Sequence, residues 1–159
     1  YETVEHISGT NLDLVVIGGG SEKEVNDLKD YGASCGVSVS VLSELSSEKM
    51  RAIMRNSVAI VGLAHGEAFG LTPIEAMALG VPPIFVDEGG YCETVVDGIN
   101  GRLLKRGDYD AWRIALEEAQ DVETREKWAI AGLSRIEELG LTPENHAIRL
   151  REIIRSITL

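Results

Sequence analysis

Leu12-Asp-Leu-Val-Val-Ile-Gly-Gly-Gly-Ser21 opens as an apolar, β-branched run and stops on three glycines. A run of this kind reads as a buried strand, and Ser21 stands ready to cap a helix behind it. Val25 and Leu28 then recur at helical spacing until Gly32, which the pattern makes the end of that helix. Outward from there the alternation continues. Val37, Val39 and Val41 alternate with Ser38 and Ser40 as a half-buried strand, and Ser46 or Ser47 starts a helix carrying Met50, Ile53 and Met54. Val58–Val61 is a third strand, residues 73–79 a short helix closed by Gly80, and Pro83–Val86 a fourth strand. Gly101-Arg-Leu-Leu104 is a short fifth strand near a sheet edge. Strand and helix in strict alternation predict an α/β fold, a Rossmann-like, doubly wound parallel sheet with right-handed crossovers.

Beyond residue 107 only helical stripes remain. Trp112, Ala115, Leu116 and Ala119 form one, and Ala129, Leu133 and Ile136 a second. Thr142-Pro143 supplies a cap and a first-turn proline for the last helix, lined by Ala147, Leu150, Ile154 and Ile157. Both tryptophans, Trp112 and Trp128, fall on these stripes and read as core.

The 159 residues carry 15 Lys plus Arg against 26 Asp plus Glu, a formal net charge of −11. Such an acidic surface repels phosphate backbones, so binding to nucleic acid through a basic patch is excluded. With 44% hydrophobic residues there is enough apolar material for one packed domain. No run approaches the roughly 18 apolar residues of a membrane span, and no signal peptide is visible. Cys35 and Cys92 have no metal-ligand spacing and read as two free thiols in a reducing compartment. The chain starts at Tyr1 without an initiator Met, which reads as a fragment or a trimmed product.

Chemistry concentrates in His65-Gly-Glu-Ala-Phe-Gly-Leu-Thr-Pro-Ile-Glu-Ala-Met-Ala-Leu-Gly80. Glu67 and Glu75 are separated by seven residues, with a helix expected to start at Thr72 as cap and Pro73 in its first turn. Backbone N–H groups of Gly70 and Leu71 then lie at a helix N-terminus, a place that suits an anion such as a diphosphate. In an open α/β sheet the crevice beyond the carboxyl ends of the strands is where ligands bind, and Glu67 belongs there. A plainer reading stays open: Thr72-Pro-Ile-Glu75 is also a capping box in which Glu75 only returns to the cap. Gly18-Gly-Gly20 is a weak dinucleotide hint, because Lys23 stands where G-x-G-x-x-G needs its last glycine. Gly89-Gly90 reads equally well as a turn. His65 has no ligand-type neighbour at metal spacing.

Together, Glu67-x7-Glu75 around Phe69-Gly-Leu71, then Glu75-Ala-Met-Ala-Leu-Gly80, Gly89-Gly90 with Glu93, and Asp97-Gly-Ile-Asn-Gly101 closely resemble the C-terminal half of the family 4 glycosyltransferases, retaining enzymes of the GT-B architecture. The resemblance covers most of the chain. It implies one donor-binding domain over residues 1–159, with an acceptor domain elsewhere and a nucleotide-sugar such as a UDP-, GDP- or ADP-sugar as donor. Glu75 would take the ribose hydroxyls, and Glu67, the candidate catalytic residue, would hold hydroxyls of the transferred sugar. The backbone of Phe69, Gly70, Leu71 and Thr72 would cradle sugar and phosphates. Val41 and Leu42 would lie along the base, and Gly18 and Gly19 would permit close backbone approach. The resemblance implies neither metal nor cofactor. It places the enzyme in polysaccharide or glycoconjugate biosynthesis in the cytoplasm, with a sugar, lipid or glycan acceptor. Peripheral attachment to the inner membrane face through the other domain is compatible with it. A nucleotide-sugar epimerase of related architecture and a non-catalytic binding module are the alternatives.

Three departures from the family pattern stand out. Leu63-Ala64 replaces the usual Pro-Ser, and Ala68 replaces a frequent Gly. Nothing before Leu12 matches the strand and helix that supply an Arg and a Lys to the diphosphate, and Tyr1–Gly9 reads as the tail of that helix. In the strand order 3-2-1-4-5-6 the absent strand is the central one, so residues 12–17 and 58–61 should flank a gap.

Overall fold

Serine and aspartate at the helix starts set most element boundaries. The computed structural model describes residues 1–157. Among them, strands β1 (Leu14–Ile17), β2 (Val39–Leu42), β3 (Ile60–Gly62), β4 (Pro83–Val86) and β5 (Arg102–Leu104) alternate with α1 (Glu2–Ile7), α2 (Glu22–Ser34), α3 (Ser47–Arg55), α4 (Leu71–Ala78) and α5 (Tyr91–Thr94). Helices α6 (Tyr109–Gln120), α7 (Val122–Leu139) and α8 (Pro143–Ile157) follow. Ser21 caps α2 in a full capping box with Glu24, Ser46 caps α3, Asp108 caps α6 and Asp121 caps α7. Each side-chain oxygen accepts an N–H that the first helical turn leaves without a partner.

All strand pairs are parallel, as expected, but the sheet is in two pieces. β1 pairs with β2, Leu14 opposite Val39 and Ile17 opposite Leu42. β4 lies between β3 and β5, with Val61 opposite Ile84 and Phe85 opposite Leu103. Among the described residues no pairing joins β1 to β3. The core gathers around β4, whose four residues are all buried, under Trp112, Ala115, Leu116 and Ala119 of α6 and Val4 and Ile7 of α1.

α1 is tied down at both ends. Gly107 N–H donates to His6 Nε2 at 2.9 Å, which leaves Nδ1 to carry the proton and donate to Glu2 O at 2.8 Å. The imidazole packs between Tyr109 and Trp112, at centroid distances of 4.8 and 5.0 Å. Ser8 Oγ donates to Cys35 O beyond the end of α2.

Four expectations need correction. Gly32 does not end α2: it lies inside the helix, where a Cβ would stand 2.3 Å from Val39 Cγ2. It is the close approach of α2 to β2 that requires glycine, and Gly36, at φ 73°, turns the chain after the helix. Thr72 is not the cap of α4, which starts two residues earlier than expected, at Leu71 behind Gly70, and has no side-chain cap. The packed face of α7 runs through Trp128 and Gly132, with Leu133 49% exposed, because Gly132 lets α7 close onto Met77 of α4. α8 has its capping start and stripe but no buried residue. The tryptophans are core, at 0% and 5% exposure for Trp112 and Trp128.

Candidate functional site

The loops leaving β3 and β4 at their carboxyl ends meet directly. Gly90 N–H donates to Glu67 O at 2.8 Å, and a Cβ on Gly90 would stand 2.3 Å from Phe69 N. A Cβ on Gly89 would stand 2.6 Å from Glu67 O. The Gly89-Gly90 pair is therefore more than a turn: without side chains it lets one loop backbone lie on the other. Gly70, at φ 84°, is the cap of α4 and packs against the ring of buried Tyr91, which in turn rests on Phe85 at 4.7 Å.

This clamp fixes Glu67. Its Oε1 accepts from Gly70 N–H at 3.1 Å and Phe69 N–H at 3.4 Å, so a carboxylate sits at the N-terminus of α4. The negative charge there complements the helix dipole, and Oε2 is left for another donor. Two of the amides expected to cradle phosphate, those of Phe69 and Gly70, are thus already engaged by Glu67. The first-turn amides of Leu71 and Thr72 have no helical acceptor, and Pro73 has no N–H to satisfy. Desolvation raises the Tyr91 hydroxyl pKa, and the nearby Glu67 charge raises it further.

Glu75 sits one turn into α4 and is exposed. The capping box is absent, and the carboxylate has no hydrogen-bond partner among the described residues. Thr72 and Glu75 line a cavity of about 640 Å³ together with Val15 and Ile17 of β1 and Val61 of β3. At the end of β1, Gly18 N–H donates to Leu42 O at 3.0 Å, which places Gly18 beside the half-buried Val41 and Leu42 at the end of β2. Gly18 and Gly19 have open space around their Cα atoms. Of the segment from Glu67 to Glu75, Thr72 and Glu75 line this cavity; Glu67, Gly18, Gly19, Val41 and Leu42 are not among its lining residues.

Sequence reasoning missed Arg106. Its guanidinium, just after β5, donates to Glu88 at 3.0 and 2.9 Å, to Glu2 at 2.7 Å and to Leu63 O at 3.0 Å. His65 Nδ1 lies 3.7 Å from Glu88. Hydrogen bonds from Arg106 hold the Glu2 and Glu88 carboxyls below the usual glutamate range, and the pair of carboxylates pushes Arg106 upward. The available signal was a Lys105-Arg106 pair directly behind a strand in an acidic chain. Asp97–Gly101 is held by its own bonds: Asp97 accepts from Arg102 and Leu103, while buried Asn100 bonds Val96 N–H, Thr94 O and Met77 Sδ.

The family model of the glycosyl transferases group 1 matches residues 1–135. The chain belongs to the group 1 glycosyltransferases. Its α/β fold is the expected one, a Rossmann-like domain of the GT-B architecture with an all-helical end. Among curated relatives of this group 1 chain, the D-inositol 3-phosphate glycosyltransferase of Xylanimonas cellulosilytica is 33% identical over 115 residues, 70% of this chain and 27% of the relative. The chain spans only about a quarter of that relative. A sucrose-phosphate synthase from Thermosynechococcus elongatus superposes with a TM-score of 0.82 at 22% identity, over 99% of this chain and 41% of that one. Anabaena HepE, solved in complex with UDP and glucose, gives 0.76 at 20% identity over 98% and 43%. Among the described residues no helix is long and apolar enough to cross a membrane.

Proposed function

We propose that this chain is the donor-binding part of a retaining glycosyltransferase that moves a hexosyl group from a nucleoside diphospho-sugar to an acceptor hydroxyl. The observation that carries the reading is one wall of the crevice. There the unpaired first-turn amides of Leu71 and Thr72 lie beside Glu75, a carboxylate without a partner. Helix amides suit a diphosphate, and a carboxylate can accept both hydroxyls of a ribose diol. Glu67 is a carboxylate already fixed through Oε1, so Oε2 can hold sugar hydroxyls without losing much side-chain freedom. In the reaction the bond from the anomeric carbon to the diphosphate breaks and a bond to the acceptor oxygen forms. Charge grows on the leaving phosphate, where preorganised amides act most strongly. HepE in complex with UDP-glucose supports a UDP-sugar as the first donor to test.

The test is a titration of UDP-glucose and related nucleotide-sugars onto the full-length polypeptide. Glu75→Gln should weaken donor binding by about 1–3 kcal/mol, the loss of a charge-assisted hydrogen bond. Glu67→Gln should chiefly lower kcat, since its contact strengthens as charge develops on the sugar. Activity should survive EDTA. Donor affinity and turnover unchanged in both variants would overturn the site, and product with inverted anomeric configuration would overturn the reaction class.

A further inference from the structure

Arg106, just after β5, gathers the carboxyl ends of two further strands on one guanidinium. Its Nη1 donates at 3.0 Å to Leu63 O, the carbonyl directly after β3. Its Nε and Nη2 form a fork on both oxygens of Glu88, just after β4, at 3.0 and 2.9 Å. These are the roots of the two loops that meet at the candidate site. Leu63 begins the loop that carries Glu67, and Glu88 stands directly before Gly89 and Gly90. Further along the same loops, Gly90 N–H donates to Glu67 O at 2.8 Å, and Glu67 Oε1 accepts from Gly70 N–H at 3.1 Å. His65, between Leu63 and Glu67, places Nδ1 3.7 Å from Glu88 as a further tie.

Arg106 is itself rigidly rooted. Lys105 O before it accepts the indole N–H of Trp112 at 3.1 Å and the Asp108 N–H at 3.2 Å. Gly107 N–H behind it donates to His6, which is 1% exposed. The remaining guanidinium bond goes to Glu2 of α1 at 2.7 Å. A side chain already fixed from a fixed backbone loses little further freedom in holding a loop. Lysine cannot do the same. One ammonium supplies the charge but not the planar fork that spans a carboxylate and a carbonyl together. The α4 wall is anchored elsewhere: Gly132 of α7 lies against Met77 of α4, so Leu71, Thr72 and Glu75 keep their place without Arg106.

From this geometry we infer that Arg106 is a positioning residue of the candidate site. By fixing the spacing between the carboxyl ends of β3 and β4, it sets where the Glu67 carboxylate stands relative to α4. In this role it touches neither donor nor acceptor and acts through Glu67. The part that Glu67 plays in turnover rests on the donor reading; the hold of Arg106 on Glu67 does not. Misplacing a group at a reacting centre by about 1 Å can cost about 100-fold in rate. Loss of the hold should therefore appear in kcat, with donor KM left to the α4 wall.

Steady-state kinetics on the full-length polypeptide, with the nucleotide-sugar that supports turnover, tests it. Arg106→Lys should lower kcat by about 10-fold or more and leave donor KM within about twofold. Arg106→Lys combined with Glu67→Gln should be no slower than Glu67→Gln alone, the coupling expected when one residue acts through another. Multiplied losses in the double variant, or a wild-type kcat for Arg106→Lys beside a slow Glu67→Gln, would overturn the positioning role and spare the donor reading. A readout without turnover separates the converse. The amide proton of Gly70, held by Glu67 Oε1, should move upfield in the NMR spectrum of Arg106→Lys. If Glu67→Gln keeps full kcat, the donor reading fails, and the Gly70 amide alone decides whether Arg106 places Glu67. A Gly70 amide that stays where it is rejects the inference. Should Arg106→Lys melt below the assay temperature, Glu88→Gln, which weakens only the β4 arm, replaces it. A lower kcat at unchanged KM then supports the role, and a wild-type kcat rejects it.

Discussion

β4 and β1 are both four-residue, apolar, parallel strands, and they fare differently. Among the described residues Pro83–Val86 has a partner on each side and buries every residue, whereas Leu14–Ile17 has one partner and leaves Val15 and Ile17 each 41% exposed. An apolar run expresses what a strand needs on both faces. Burial itself is conferred by neighbours, and β1 lacks one. The sharpest way to break this comparison is to cut the same kind of side chain from each strand of the 159-residue chain. Ile84→Ala, at 0% exposure, should cost about 2–5 kcal/mol in denaturant unfolding. Ile17→Ala should cost less than about 1 kcal/mol, because its side chain is still substantially hydrated. Equal losses would mean that β1 is as well covered as β4.

Two glycine-containing segments sharpen the comparison at the level of loops. Gly90 is needed because a Cβ would strike the backbone of Phe69, whereas Gly98, at φ 71°, has nothing within 4 Å of a Cβ and needs only its left-handed backbone. Gly90→Ala should therefore cost about 1–3 kcal/mol of stability through overpacking and also shift Glu67, weakening nucleotide-sugar affinity in the full-length enzyme. Gly98→Ala should cost about 1 kcal/mol, the left-handed penalty of an L side chain, and leave that affinity unchanged. A Gly90→Ala enzyme with intact affinity would show that the clamp does not position the carboxylate.

The strands, their order along the chain and the segment from Glu67 to Glu75 were legible in the sequence because period, β-branching and glycine report local backbone needs. Gly32 misled for the same reason. Glycine signals a helix end and a close helix–strand approach alike, and only Val39 on the neighbouring strand tells them apart. Thr72 offered an excellent cap, yet Gly70 could adopt the left-handed turn required by the contact with Tyr91, and Glu67 supplied the carboxylate instead. Arg106 was hidden because its partners, Glu2, Leu63 and Glu88, come from three distant parts of the chain. A pattern confined to neighbours cannot reveal such a cluster.

The smallest effects test how α1 couples the two pieces of sheet. Glu2 reaches Arg106 on the β3–β5 side, while Glu5 accepts the hydroxyl of Tyr31 in α2 on the β1–β2 side. The two ties titrate at opposite ends of the pH scale. Arg106 depresses the Glu2 and Glu88 carboxyls in the folded state, so their stabilisation is present above the ordinary glutamate value of 4.5 and is lost as pH falls through the lower folded values. Tyr31 is pushed from 10.0 up to about 12, chiefly by its hydrogen bond to Glu5. A raised pKa gives stabilisation that is complete below pH 10 and lost as pH rises toward 12. These groups are only half-buried, so solvent screening keeps both effects small. Melting temperature followed against pH should fall at both ends. Arg106→Gln should flatten the acid limb and leave the alkaline limb alone, while Tyr31→Phe should do the reverse. A variant that flattens both limbs would show that α1 responds as one unit, its two ties coupled through the helix.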